Sequence, residues 1–265
     1  MLTRHPRNQE FQWHMPPPPY RALSPDHALQ YDEGGYFLYS GAFTAHEMDE
    51  VAEAISPFEH ATEEALRKHD GGRYLIAKAD AITFTTHLVA RDERLKQFSQ
   101  HRVFQDLCHD LLGPGARLYW DQAVYKKPGN PEEFPWHQDN GYTYVEPQQY
   151  LTCWVALNDA TEENGCPSVV SGLHRLGTLA HEATPLGYQC LRNPRDEIVV
   201  PARKGDVVVF SSLTPHRTGP NLTHGVRKAY ILQYAPDGAL AFPPGAEQGV
   251  PQNDARRQYY VGRDR

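Results

Sequence analysis

The stretch FPWHQDNGY, residues 134–142, contains the only His-x-Asp triplet of the chain. On an extended backbone the first and third side chains project to the same side, so His137 and Asp139 can bind one ion while Gln138 points away. A sequence with 14 histidines and 33 acidic residues is expected to contain about one such triplet by chance. The triplet therefore needs support from the rest of the sequence.

A third candidate ligand is His216 in SSLTPHRTGPN, which directly follows the apolar run VVVF. A roll of two sheets can bring the end of that run opposite the His-x-Asp triplet. Two imidazoles and one carboxylate leave other coordination positions open, and this is the ligand set of non-heme Fe(II) oxygenases. For any single histidine, a hydrogen-bonded position in the core or a loop is the alternative.

Arg227 lies 11 positions beyond His216, and Thr218 lies two beyond it. If the intervening TGPNLTHG folds as a turn, the guanidinium returns to the neighbourhood of the metal. A planar guanidinium binds both oxygens of a carboxylate, which suits a dicarboxylate ligand. A surface salt bridge is the alternative for Arg227 taken alone.

The elements that must position these residues are mostly strands. From residue 116 the pattern changes from a helical period to a period of two, which predicts a strand over residues 118–125 that ends before the Pro-Gly turn at 128–129. Further strands are predicted at 150–157, 197–200, 206–212 and 228–235. No helical pattern of crossover length separates the last three, so antiparallel pairing is favoured. The predicted fold is mainly β, a double-sheet jelly roll.

Two helices are predicted before the strands, packed outside the roll as supports. Thr44 and Glu47 spell a capping box for a helix that we expect to end at Pro57. A second amphipathic helix, with Phe104 on its apolar face, is expected to end at Gly113 or Gly115.

A single domain is expected, divided into four parts. These are an extended N-terminal arm (1–40), a helical support (41–115), the jelly-roll core (116–235) and a C-terminal tail without assigned structure (236–265).

Composition excludes several classes of protein. The 26 basic and 33 acidic side chains give a net charge of −7, and the basic residues are scattered, so nucleic acid is not an expected partner. No stretch approaches 18 consecutive apolar residues and no apolar leader is visible, so we expect a cytoplasmic protein without membrane contact. The four cysteines lack C-x-x-C spacing and are interpreted as buried thiols.

The ordered motifs HQD, CWVALNDATEENGC and HRTGPN, with an arginine 11 residues after the last histidine, resemble the phytanoyl-CoA dioxygenase family of Fe(II)- and 2-oxoglutarate-dependent oxygenases. The resemblance covers roughly residues 118–235. It implies a double-stranded β-helix in which iron is held by His137, Asp139 and His216. It also implies that 2-oxoglutarate and O₂ are consumed and that succinate and CO₂ are released.

The resemblance further implies roles for residues around the metal. Arg227 and Thr218 would bind the distal carboxylate of 2-oxoglutarate, Trp154 would pack against this cosubstrate, and Gln122 occupies a position that contacts it in relatives. Related halogenases lack the acidic ligand, so Asp139 predicts hydroxylation or another oxidation without chloride. Desaturation, epimerisation and ring formation remain open.

The substrate is expected to be a small molecule of specialised or catabolic metabolism. The residues that continue the His-x-Asp loop offer apolar faces with polar tips and are interpreted as a pocket border, with ordinary packing as the alternative. They are Asn140, Tyr142 and Tyr144.

Two other functions are compatible with parts of the pattern. A metal-dependent hydrolase or isomerase on a cupin-like roll could use the same three ligands with zinc or manganese, but it would have no use for Arg227. A non-catalytic roll that binds a sugar or another small molecule would not form a coloured Fe(II) chelate with 2-oxoglutarate.

Overall fold

The computed structural model describes residues 2–74 and 76–262. These residues form four α-helices, which are α1 Pro25–Gly34, α2 Ala45–Lys68, α3 Glu93–Ser99 and α4 Arg102–Leu112. The strands are β1 Tyr36–Tyr39, β2 Arg73–Tyr74, β3 Ala77–Lys78, β4 Ile82–Thr86, β5 Ala116–Lys126, β6 Phe134–His137, β7 Tyr144–Glu146, β8 Leu151–Ala156, β9 Pro167–Val170, β10 Glu182–Thr184, β11 Gly187–Gln189, β12 Glu197–Val199, β13 Val207–Ser211, β14 His216–Thr218, β15 Arg227–Pro236, β16 Leu240–Phe242, β17 Val250–Pro251 and β18 Tyr260–Val261.

Two sheets form the body of the molecule. The major sheet has nine strands in the order β1-β13-β8-β15-β5-β4-β3-β2, with β18 also paired to β5, and the minor sheet has the order β12-β9-β14-β6. All pairings within these two sheets are antiparallel. Within the described residues the sheets do not close into a barrel. The predicted fold class, a mainly β roll with helices packed outside, is confirmed.

The two faces of the major sheet bury different side chains. Because side chains alternate along a strand, β15 directs Tyr230 and Leu232 toward the helices and Ala229 and Ile231 toward the minor sheet. The helical face joins a core that includes Phe104 of α4. Burying one such large apolar side chain contributes about 1.5–3 kcal/mol to stability. The opposite face is left to line the space between the sheets.

The capping box of α2 is present as predicted. Thr44 accepts a hydrogen bond from the backbone N–H of Glu47, and the Glu47 carboxylate accepts one from the Thr44 N–H. The expected end at Pro57 is wrong, because α2 continues to Lys68. Pro57 is exposed, so the backbone carbonyl left without an amide partner can reach water. Buried residues on both sides, such as Ile55 and Leu66, offset the proline cost of about 3 kcal/mol.

The N-terminal 40 residues are not simply an extended arm. Ser24 caps α1 and Pro25 occupies its first turn, while β1 pairs with β13 at the edge of the major sheet. Between the two elements Gly35 has φ +80°, and a Cβ there would lie 2.5 Å from Thr214 Oγ1. Few residues of α1 are buried, so it carries no clear apolar periodicity. This is why the pattern did not predict it.

The support and tail segments also differ from expectation. Residues 41–115 contain the helices α2 to α4 but also β4, which pairs with β5 in the major sheet. In the tail, β16 pairs with β7 and β18 pairs with β5. These short strands depend on pairing with distant partners, and two- or three-residue strands leave no periodic signal. Residues 263–265 of the predicted tail lie outside the described residues.

The cysteines form no disulfide in the described part of the chain. Cys108, Cys153 and Cys166 are buried, and burial raises the pKa of the Cys166 thiol to about 11. Over residues 2–74 and 76–262 we find no helix with the length and apolar character needed to cross a membrane.

Candidate metal centre

Two neighbouring strands of the minor sheet bring the three candidate ligands together. β14 pairs with β6 so that His216 lies opposite His137, and Asp139 follows two residues after β6 ends. Asp139 Oδ1 lies 3.8 Å from His137 Nε2 and 3.7 Å from His216 Nε2. Donor atoms about 2.1 Å from a shared ion can be up to about 4.2 Å apart. The donor set therefore fits one metal ion. We call these three residues the metal end.

Backbone carbonyls fix the orientation of both imidazoles. His137 Nδ1 lies 2.8 Å from the Pro135 carbonyl oxygen, and His216 Nδ1 lies 3.0 Å from that of Thr214. A carbonyl oxygen only accepts, so each Nδ1 carries the proton and each Nε2 keeps its lone pair. Burial, and next the neighbouring His216, hold the pKa of His137 well below its usual value. A neutral imidazole is the form that binds a metal.

Asp139 is oriented by a residue that the sequence analysis missed. The hydroxyl of Thr152 on β8 donates to Asp139 Oδ2 at 2.6 Å, so it is Oδ1 that faces the imidazoles. Gln233 of β15 in turn donates to the Thr152 hydroxyl at 3.4 Å. Thr152 lies two residues before Trp154 on the same face of its strand. This spacing was the signal from which Thr152 could have been predicted as a site residue.

The loop that carries the triplet is anchored by Gln138, whose side chain turns away from the metal end as expected. Its amide nitrogen donates to the Gly177 and Leu213 carbonyls, and its amide oxygen accepts from Leu179 N–H. The backbone N–H of Gln138 donates to His181 Nε2 at 2.9 Å. His181 was not singled out in the sequence, because this contact depends on the fold of a distant segment.

A cavity between the sheets adjoins the metal end. Its walls come mostly from the major sheet, and they include every residue predicted to bind iron or 2-oxoglutarate. The lining residues are Phe84, Gln122, Val124, Phe134, His137, Asp139, Thr152, Trp154, Phe210, His216, Thr218, Arg227 and Ile231. We call the part lined by Thr218 and Arg227, together with Lys126 beside Arg227 on the neighbouring strand, the floor of the cavity.

Arg227 is fully buried in the floor. Its Nη1 lies 3.5 Å from the Val124 carbonyl oxygen, while Nε and Nη2 have no hydrogen-bond partner among the described residues. The guanidinium carbon lies 5.3 Å from the centre of the Trp154 ring. Burial lowers the pKa of Arg227 to about 10, so the group stays charged at neutral pH. A buried cation with free N–H groups calls for an anionic ligand.

Trp154 and Gln122 also line the cavity. Trp154 also belongs to the apolar core between the sheets. Gln122 accepts a hydrogen bond from Trp120 Nε1 at 3.2 Å.

The three predicted border residues are not among the cavity walls. Asn140 is fully buried, and its amide bonds Val145 and the Thr178 hydroxyl. The Tyr142 ring centre lies 5.3 Å from that of His137, but its hydroxyl accepts from Tyr188 N–H. Tyr144 donates to the Arg7 carbonyl. All three side chains are thus engaged in packing and hydrogen bonds within the chain, as the packing alternative expects.

A two-sheet antiparallel roll with two imidazoles and a carboxylate beside a buried cation defines the class of non-heme iron oxygenases. The chain belongs to the phytanoyl-CoA dioxygenase (PhyH) family, whose model matches residues 31–229. Enzymes of this family use Fe(II), 2-oxoglutarate and O₂. The predicted family is confirmed, and the predicted enzyme class and cofactors are those of this family.

Two relatives are named as enzymes that act on phosphonates. A methylphosphonate hydroxylase of Gimesia maris is 30% identical over 182 residues, covering 68% of this chain and 64% of that enzyme. A 2-aminoethylphosphonate dioxygenase of an uncultured bacterium is 28% identical over 185 residues, covering 63% of this chain and 70% of that enzyme. This chain thus spans slightly less than two thirds of the hydroxylase.

Solved structures share the fold. The apo form of EctD from S. alaskensis matches with a TM-score of 0.70 at 19% identity, covering 92% of this chain and 90% of that one. The epimerase SnoN of nogalamycin biosynthesis matches with a TM-score of 0.68 at 21% identity, covering 91% and 96%.

Proposed function

We propose that this chain works as a single oxygenase domain that hydroxylates a C–H bond of a small molecule. His137, Asp139 and His216 would hold Fe(II), and Arg227 with Thr218 would bind the distal carboxylate of 2-oxoglutarate. The observation that carries the proposal is the pairing of a three-donor metal end with a buried arginine whose Nε and Nη2 have no partner among the described residues.

Bound iron and 2-oxoglutarate supply the activation of O₂, with release of succinate and CO₂. The chain's own residues bind and orient. The two Nε2 atoms and Asp139 Oδ1 face one point, and Thr152 keeps the carboxylate turned toward it. Three ligands on one side leave the remaining coordination positions for cosubstrate and O₂.

The cavity is also lined by apolar side chains. Val124, Trp154 and Ile231 line it between the metal end and the floor. These walls would pack against the methylene groups of 2-oxoglutarate and exclude water from the reacting atoms. Exclusion of water strengthens the interaction of the guanidinium with a carboxylate.

The substrate class proposed first for testing is small phosphonates, since two relatives are named for them. Their sequence identity of 28–30% supports a panel and not a single compound. A substrate panel would therefore contain methylphosphonate, 2-aminoethylphosphonate and small carboxylic acids of similar size.

The test has two stages. Anaerobic addition of Fe(II) and then 2-oxoglutarate should produce the weak visible charge-transfer band of the chelate, whereas a colourless mixture would contradict the proposal. Under O₂, succinate release should then rise above its uncoupled background with one member of the panel. A zinc- or manganese-supported hydrolysis or isomerisation that ignores 2-oxoglutarate would point instead to the hydrolase or isomerase alternative.

A further inference from the structure

Beside Arg227, the floor contains a second buried cation that has no role in the assignments above. Lys126 is fully buried and pairs directly with Arg227 across strands β5 and β15. Both residues extend from the face of the major sheet that lines the cavity, because Val124, two residues before Lys126, is one of its walls. Two buried basic side chains therefore lie side by side at one end of the cavity.

Neither Lys126 nor Arg227 forms an ion pair within residues 2–74 and 76–262. Among the described residues no carboxylate lies within salt-bridge distance of Lys126 or Arg227, although the described chain contains ion pairs such as Arg217 with Glu197. Burial, followed by the charge of Arg227, holds the pKa of Lys126 well below its usual value, and a bound anion would raise this pKa again because it favours the ammonium form. Buried charges are normally paired, so two of them together mark a place where a negative charge is bound.

The side chain of Lys126 is also hydrogen-bonded to the backbone at the end of β14. Its Nζ donates to the Thr218 carbonyl at 3.0 Å and to the Gly219 carbonyl. The next turn supports the same segment, because Gly165 has φ +85° and a Cβ there would lie 2.4 Å from the Gly219 oxygen. Lys126 thus fixes the backbone of Thr218, whose side chain lines the cavity.

We propose that Lys126 is a second cationic residue of the cosubstrate site, which positions Thr218 and selects, by its charge beside Arg227, for a 2-oxo acid with a second carboxylate. The inference rests on the proposed function, since it assumes that the cavity binds 2-oxoglutarate. A single guanidinium already suffices to bind one carboxylate. The added charge makes the floor strongly favour a dianion over a monoanion of the same length.

The experiment compares two probes that differ only at the distal end. 2-Oxovalerate has the five carbons of 2-oxoglutarate but ends in a methyl group. Dissociation constants for both are measured anaerobically with the Fe(II)-loaded protein through the charge-transfer band. We expect Lys126→Met to raise the dissociation constant of 2-oxoglutarate by on the order of tenfold, because one charge interaction in a buried site contributes at least that factor. The dissociation constant of 2-oxovalerate should stay within about twofold of its wild-type value.

Two further variants make the result specific. Lys126→Gln keeps an N–H donor for the backbone carbonyls but removes the charge, and it should weaken 2-oxoglutarate similarly. If Lys126→Met fails to fold, the Gln variant decides. The matched control is Lys127→Met, since Lys127 is the next residue and its ammonium pairs with Glu59 of α2 on the other face of the sheet. It should leave both dissociation constants unchanged.

The outcomes separate this inference from the proposed function. No band with the unmodified protein and 2-oxoglutarate would contradict the function itself. A normal band that Lys126 variants leave unchanged, or that weakens equally for both probes, would overturn only the role of Lys126. Wild-type affinity of Lys126→Gln for 2-oxoglutarate would also overturn it, because the charge would then be dispensable.

Discussion

At the metal end, the atoms of His137, Asp139 and His216 that face away from the candidate ion are hydrogen-bonded within the chain. At the floor, Arg227 has Nε and Nη2 without a partner in the described residues, next to the buried Lys126. The metal end is therefore arranged before any ion arrives. The floor contains a buried positive charge without an ion-pair partner among the described residues. Burying that charge destabilises the fold, and a bound anion would offset this cost. The comparison predicts that changes at the two ends affect binding and stability differently.

Loss of a metal ligand should have the largest effect. Asp139→Ala removes one of three donors and leaves the imidazoles without the carboxylate that completes the set, so we expect succinate formation to fall by a factor on the order of 100 or more. Iron content after reconstitution should fall in parallel. His224→Ala, at an exposed histidine, is the matched control and should retain both. Full iron content in Asp139→Ala would refute the ligand assignment.

Arg227→Met should separate function from stability. Removing charge-assisted hydrogen bonds worth about 1.5–3 kcal/mol each should raise the 2-oxoglutarate requirement at least roughly tenfold. In the absence of cosubstrate the variant should unfold at the same temperature or higher, because a buried cation without a partner is replaced by an apolar side chain. Thermal unfolding without 2-oxoglutarate measures the stability, and a 2-oxoglutarate titration of succinate release measures the requirement. Marked destabilisation without cosubstrate would contradict the account of the floor.

Thr152→Val should have an intermediate effect. Valine has a volume similar to that of threonine but lacks the hydroxyl. Asp139 Oδ2 therefore loses its hydrogen bond, and the carboxylate can rotate away from the imidazoles. Loss of a hydrogen bond behind a metal ligand typically costs about 10–100-fold in metal affinity or activity. We expect Fe(II) affinity to fall by about tenfold, and succinate release to become less tightly linked to product. Thr152→Ser keeps the hydroxyl and should restore both measures; a Ser variant no better than Val would rule out this role.

The smallest effect is expected at the loop after the metal end. Tyr142→Phe removes one hydroxyl that accepts a hydrogen bond from Tyr188 N–H. A single neutral hydrogen bond contributes about 0.5–1.5 kcal/mol, and this one is outside the cavity walls, so kcat/KM should change by less than about threefold. A larger fall in kcat/KM would show that Tyr142 contacts the substrate, as the sequence pattern suggested.

The residues of the site could be named from the sequence because their types and order carry the chemistry. His137, His216 and Arg227 lie on strands β6, β14 and β15, where strict alternation fixes which face each side chain takes. Asp139 follows β6 by two residues. Local signals also gave the α2 capping box and the end of α4 at Leu112 before Gly113. Pro57 misled because helix continuation there depends on packing, which local propensity does not include.

The sequence by itself determined the donor set, the buried strands and the class of chemistry, since these follow from side-chain type and from periods of two along the chain. Tertiary structure alone decided that Thr152 would hold Asp139, that Asn140 would be buried away from the cavity, and that Lys126 would share the floor with Arg227. Each of these depends on the register between strands far apart in sequence. Register is set by the packing of the whole core, and no local pattern reports it.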